Sequence, residues 1–172
     1  ENAINIKELS GYLKNLCEEY GLISKMQPLY EKSSNKSVHY TINDQFLKFW
    51  FRFVYKYTHI IEAGGNERLR TIAERDFTTV SGKSLENYFC EVLKESGAYT
   101  RLGYWHDRKG ENEIDIIAED ELDNKIEFIE VKRQAKNFDE NVLKAKSELF
   151  FKAVGTFKGY EVIYRGLSID DM

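Results

Sequence analysis

Along residues 4–20 the apolar side chains Ile4, Ile6, Leu9, Leu13, Leu16, Cys17 and Tyr20 recur mostly every three or four positions, and Gly21 follows. That spacing predicts an amphipathic helix with a glycine stop. Two strand-like runs come next, "LISKMQPLY" and "SVHYTI", joined by the polar, basic-leaning loop "EKSSNK". "NDQFLKFWFRFVYKY" returns to a helical period, with Asn43 or Asp44 as its cap. Its apolar positions Phe46, Phe49, Trp50, Phe53, Val54 and Tyr57 are expected to pack against a neighbouring domain. Gly64 and Gly65 then interrupt the pattern ahead of a charged helical segment at 66–76. The rest predicts a helix ("SLENYFCEVLKESG"), three strands ("YTRLGYWHD", "NEIDIIAE", "KIEFIEVKR"), a helix ("DENVLKAKSELFFKAVG") and a strand ("GYEVIYRGLSI").

The expected architecture is therefore α/β (α+β) in two parts. Residues 1–62 read as a helix, a two-stranded wing and a helix, the C-terminal half of a winged helix. Residues 63–172 read as an α-β-β-β-α-β core with a mixed sheet. A content of 42% hydrophobic and 14% aromatic residues is ample for packed cores. The sequence starts on Glu1, enters a helical pattern at once and lacks the two earlier helices of a complete winged helix, so the expectation is that it was cut from a longer protein. It has no apolar run long enough for a membrane span and no signal-peptide pattern, which makes the cytoplasm the default location. Cys17 and Cys90 stand far apart without a CxxC pattern and suggest neither a disulfide framework nor zinc. The net charge of −4 is uneven: residues 1–80 carry 11 Lys+Arg against 10 Asp+Glu, residues 81–172 carry 14 against 19. Any nucleic-acid footprint must then be local.

The chemistry concentrates in "EIDIIAEDELDNKIEFIEVKRQ", two apolar runs at 114–118 and 126–131 around a polar turn. A turn centred on Leu122 and Asp123 pairs Ile114 with Val131, Asp115 with Glu130, Ile116 with Ile129 and Ile117 with Phe128. Asp115 then opposes Glu130, and Lys132 shares their face. Like charges set opposite one another destabilise a hairpin, whereas a divalent cation between them turns the repulsion into ligation. Oxygen ligands without His or Cys favour Mg²⁺ or Mn²⁺. The adjacent Lys132 could orient or deprotonate a water, or neutralise phosphate charge, which suits metal-assisted phosphodiester hydrolysis. The plain structural alternative is a solvated strand edge with a Glu113–Lys132 ion pair.

"EID" followed by "EVK", with "GKSLE" in the preceding helix, resembles the PD-(D/E)XK nuclease superfamily, whose core has the same α-β-β-β-α-β order. That resemblance implies that Asp115, Glu130 and Lys132 match the D…ExK motif, with Asp115 and Glu130 as metal ligands. It also implies that Glu86 matches the carboxylate often carried by the first helix and assists at the metal. Over nearly the whole chain, "YLKNLCEEYGLISKMQPLY", "YTINDQFLKFWFRFVYKY", "SGKSLENYF" and "GYWHDRKGENEIDIIAE" look like the C-terminal region of archaeal-type AAA+ ATPases. There a nucleotide-binding domain precedes a winged helix and a nuclease-like domain. No GxxxxGK[ST] occurs here, so by this resemblance ATP would bind only in a preceding domain.

Other residues fall around this motif. Glu86 lies at the edge of an apolar helix face of Leu85, Phe89, Val92 and Leu93. His106, Arg108 and Lys109 sit on the "HDRKGEN" loop, where positive charge could contact phosphates or simply face water. Lys144, Lys146 and Lys152 are expected on the solvated face of the last helix, with Leu143, Leu149, Phe150 and Val154 towards the sheet. Gln134 is a candidate for the rim. The first helix offers Lys7 and Lys14 against Glu8, Glu18 and Glu19, a poor surface for a major groove. Two functions remain open: a Mg²⁺-dependent nuclease acting on DNA, or an inactive interaction or regulatory module that serves the ATPase domain of the same protein.

Overall fold

The computed structural model of the chain describes residues 6–31, 38–155 and 157–172. Ile4, most of the "EKSSNK" loop and the side chains of Lys7 and Glu8 lie outside the described part. The chain divides into two compact units, one formed by residues up to Gln27 with Ser34–Phe77, the other by Pro28–Ser33 with Thr78–Met172. Among the described residues, no helix is long and apolar enough to cross a membrane.

The first unit opens with α1 (Ile6–Glu18), followed by β1 (Ile23–Met26) paired antiparallel with β2 (His39–Ile42). Next comes α2 (Gln45–Phe49), and the order is helix, two-stranded antiparallel pair, helix. Asp44 caps α2: its carboxylate accepts the Leu47 N–H at 2.7 Å, satisfying one of the orphan donors of the first turn. Asn43 does something else, donating its side-chain amide to the Gly21 carbonyl at 2.7 Å. The chain stays helical through a π turn at Trp50–Val54 and a 3-10 turn at Tyr55–Tyr57 into α3 (Thr58–Glu62). Packing along this run differs from expectation. Of the expected positions Phe53 is buried and Val54 and Tyr57 are half-buried, whereas Phe46, Phe49 and Trp50 are exposed, with Phe46 at 65%. Across the π turn the rings still meet at helical spacing, Phe46 on Trp50 and Phe49 on Phe53.

A single helix, α4 (Asn66–Glu95), follows, merging the two segments predicted at 66–76 and 84–97. The two units part within it, between Phe77 and Thr78; the boundary expected at residues 62 and 63 falls where α3 ends.

In the second unit the rest of α4 leads to β3 (Arg101–His106), β4 (Glu113–Asp120), β5 (Lys125–Val131), α5 (Glu140–Val154) and β6 (Glu161–Leu167). The sheet runs β3-β4-β5-β6, with two antiparallel pairs and a parallel β5–β6 pair. This is the expected mixed sheet in an α+β fold. Strand alternation sends side chains to two separate cores. Ile117, Ile126, Phe128, Trp105 and Ile114 pack with Leu143 and Phe150 of α5, and Ile116, Ala118, Ile129 and Val131 pack with Leu85 and Phe89 of α4. The helices thus cover opposite faces, and the β5-α5-β6 crossover supplies one of them. Residues 28–31 also belong here. Leu29 donates its N–H to the Tyr104 carbonyl at 2.8 Å, and Tyr30 packs on Phe150 and Phe157 while its hydroxyl donates to the buried Glu119.

Candidate functional site

The register of the central hairpin holds for Ile116 opposite Ile129 and Ile117 opposite Phe128, but the ladder stops there. The predicted pairs Ile114–Val131 and Asp115–Glu130 are absent from it, and the cause lies on the other side of β4. Between Gly103 and Trp105 of β3, the β4 partners step from Ile117 to Ile114, so β4 carries one extra residue in the interval holding Asp115 and Ile116. This bulge explains why Ile114 and Ile117, three positions apart, share the α5 core. A bulge re-aims a side chain and ends pairing.

Asp115 is the side chain so placed. Successive N–H groups of a strand point to opposite neighbours: Lys132 N–H donates to the Leu167 carbonyl on β6 at 2.8 Å, so Val131 N–H faces β4. There it meets Oδ2 of Asp115 at 2.8 Å. The carboxylate therefore lies close to the sheet plane, in the gap where β4 and β5 part. Its pKa is pushed up to about 6, first by burial and then by the charges of Glu86 and Glu130, against the Val131 N–H and Lys132.

Glu130 is 6% exposed and held by two lysines. Lys132 Nζ lies 2.6 Å from Oε1, and Lys146 Nζ from α5 lies 3.0 and 2.9 Å from Oε1 and Oε2. Burial alone would raise its pKa, but these ammonium groups outweigh burial and hold it below the usual glutamate value. The same pair keeps Lys132 cationic: burial favours the neutral amine, yet Glu130, Asp115 and Glu86 raise its pKa above the lysine norm. Gly166 is in register with Glu130 on β6 and shares its face. A Cβ there would lie 2.5 Å from the Phe138 ring, so glycine lets that ring lie against β6.

Glu86 stands one position after the buried Leu85 on α4, and Lys83 one turn earlier holds it at 2.5 Å. Lys83 also lies 3.7 Å from Glu113, in place of the alternative Glu113–Lys132 pairing. The structure thus brings together Glu86, Asp115, Glu130 and Lys132 and adds Lys83 and Lys146. The sequence signal for Lys146 was present. Leu143, Ser147 and Phe150 form the buried stripe of α5, and Lys146 falls on it, three positions after Leu143. Leu149, expected on that stripe, is 38% exposed.

The β3–β4 connection lies at the same end of the sheet. Asp107 organises it, accepting the N–H groups of Lys109 and Glu111 and the Asn112 side-chain amide, while Arg108 and Lys109 are exposed. His106 Nδ1 lies 2.8 Å from the Asp107 carbonyl oxygen. A cleft of about 430 Å³ lies along the residues that follow Lys132, lined by Thr78, Arg133, Gln134, Asn137, Ile169 and Asp170.

As a cation site, the donor set is carboxylate oxygen, which suits a hard ion such as Mg²⁺. Among the described residues, no group of three or more His, Cys, Asp or Glu is arranged to hold a metal ion. A Mg²⁺ ion is commonly held by one or two carboxylates and several waters, so a site of this kind does not require three protein carboxylates. The elevated Asp115 pKa marks a carboxylate whose negative charge a cation would stabilise.

A family model described as DUF234, archaeal and bacterial proteins of unknown function, matches residues 50–145. That span contains Glu86, Asp115, Glu130 and Lys132 and ends one residue before Lys146. The chain is also 31% identical over 151 residues to Uncharacterized protein MJECL04 of Methanocaldococcus jannaschii, covering 85% of this chain. It spans 34% of the length of that relative. No solved structure matches the chain.

Proposed function

This chain belongs to DUF234, a family of archaeal and bacterial proteins of unknown function, and from its site we propose a nuclease-like domain that hydrolyses DNA phosphodiesters with Mg²⁺ or Mn²⁺. The observation that carries the reading is the gathering of Lys83, Lys132 and Lys146 around Glu86, Asp115 and Glu130 at the parted end of β4 and β5. A surface used only for apolar docking has no need of such a cluster, whereas a phosphodiester site needs carboxylates for a cation and cations for the phosphate. The PD-(D/E)XK resemblance assigns the same carboxylates.

Asp115 and Glu130 would hold the ion, and Glu86 would orient its waters. The ion supplies Lewis-acid activation of the phosphodiester and of the attacking water. Lys132, kept cationic by Glu130, is suited to holding a non-bridging phosphate oxygen and stabilising the charge that develops on it. Its raised pKa disfavours the general-base role. Arg133 and Gln134, which line the adjoining cleft, lie where a nucleic-acid backbone could continue past the reacting phosphate. In the same reading the domain serves as the C-terminal part of an AAA+-type ATPase that binds ATP in another domain.

A second reading, an inactive interaction or regulatory module of such an ATPase, draws on the lysine contacts that occupy Glu130 and on the exposed aromatics of the first unit. The deciding experiment incubates purified protein with Mg²⁺ or Mn²⁺ and single-stranded, duplex and branched DNA. The nuclease reading expects nicking that Asp115→Ala abolishes. Absence of both DNA binding and nicking across all three substrates would favour the module.

A further inference from the structure

Lys146 occupies an unusual place for a lysine, on the sheet-facing stripe of α5 beside the buried Ser147 and Phe150. Its ammonium reaches both oxygens of Glu130, at 3.0 and 2.9 Å, and Lys132 takes Oε1 at 2.6 Å. Both oxygens of the carboxylate are therefore engaged by cationic groups. A divalent cation can use Glu130 only by displacing part of this arrangement. Lys132 is two residues from Glu130 on the same segment, so it remains near the carboxylate after any exchange. Lys146 comes from another element and spans both oxygens, so its contact is the one a bound ion must break.

Resting on the metal-dependent reading above, we infer that Lys146 is a positioning residue that competes with the divalent cation for Glu130 and thereby sets the cation affinity of the site. In the cation-free state it keeps the buried carboxylate paired and the strand ends in place. An ion on Glu130 would leave the Lys146 ammonium without this carboxylate.

The test is calorimetric titration of Mn²⁺ into the whole chain and into Lys146→Met, Lys146→Gln and Lys146→Arg, with circular dichroism to establish that each is folded. Lys144→Met is the control, because it removes the same charge from the exposed side of the same helix. The expected result is binding roughly tenfold tighter in Lys146→Met and Lys146→Gln, the order expected when a charged hydrogen-bonding competitor is removed. Lys146→Arg should stay near the wild-type affinity and Lys144→Met within about twofold of it. Equal or weaker binding in both neutral variants, with wild type still binding, overturns the competition and leaves the metal site standing. An equal gain in Lys144→Met also overturns it, since the effect would then be general charge. No binding by wild type or any variant overturns both the inference and the metal reading.

Discussion

The backbone N–H of Val131 donates to Oδ2 of Asp115 at 2.8 Å, a bond that belongs to neither ladder of the central sheet. It takes the place of the backbone pairing expected had β4 and β5 continued in register, and it fixes a half-buried carboxylate at the mouth of the hairpin. The bulge in β4 creates the geometry, and burial first, then the charges of Glu86 and Glu130, make it electrostatically costly. Such an arrangement sacrifices stability at a position where a cation would restore it.

Asp115→Asn should therefore stabilise the cation-free protein at neutral pH. The folded pKa of about 6 lies above the ordinary aspartate value, so the folded state holds the proton more tightly than the unfolded state. The Asp115 contribution favours folding below the unfolded pKa and is lost as pH rises through about 6. Asn keeps an oxygen for the Val131 N–H without the charge. Urea unfolding at several pH values should give no difference below the aspartate range, then a gain of about 1–3 kcal/mol for the variant at pH 8. A variant less stable than wild type at pH 8 would show that the carboxylate charge supports the fold.

Glu130→Ala leaves Lys132 and Lys146 facing each other without their shared partner. A destabilisation of about 1–3 kcal/mol is expected, discounted from fully buried pairs because Lys132 remains partly exposed. Adding Lys146→Met should recover part of the loss, since one of the stranded charges is removed. A fully additive double variant in the same urea assay would contradict the coupling.

Gly166→Ala places a methyl 2.5 Å from the Phe138 ring. The ring must move away from β6 or β6 must shift, at a cost of about 1–3 kcal/mol. Thermal unfolding reads the stability, and near-ultraviolet circular dichroism should register the displaced aromatic. Unchanged stability would mean that Phe138 yields freely.

On the proposed function, Lys132→Met should abolish or strongly reduce DNA cleavage while leaving cation binding in place, because there its charge would act on phosphate. Loss of cation binding in this variant would assign Lys132 to the ion site instead.

Much of this was legible in the sequence because local pattern and tertiary environment agree. The 3.6 period of residues 6–18 and 140–154 and the alternation around Ile116 and Ile129 locate helices and strands without tertiary information. The D…ExK spacing singles out residues that the fold does bring together. The departure of Asp115 from its ladder was not legible, since a bulge depends on how β3 and β4 slide past one another, and no residue type marks it. Lys146 is hard to single out for a different reason. In the sequence it reads with Lys144 and Lys152 as solvent-facing charge, although its offset from Leu143 puts it on the buried stripe. The aromatic run that starts in α2 keeps helical spacing, and that spacing does not reveal that Phe46, Phe49 and Trp50 are exposed.

Titration of Mg²⁺ and Mn²⁺ into the wild-type chain and into the Asp115→Ala/Glu130→Ala double variant, both checked for folding, tests the central claim most directly. Saturable binding by wild type that disappears in the variant is the predicted result. Absence of wild-type binding at millimolar cation, or binding that survives in the variant, would contradict it.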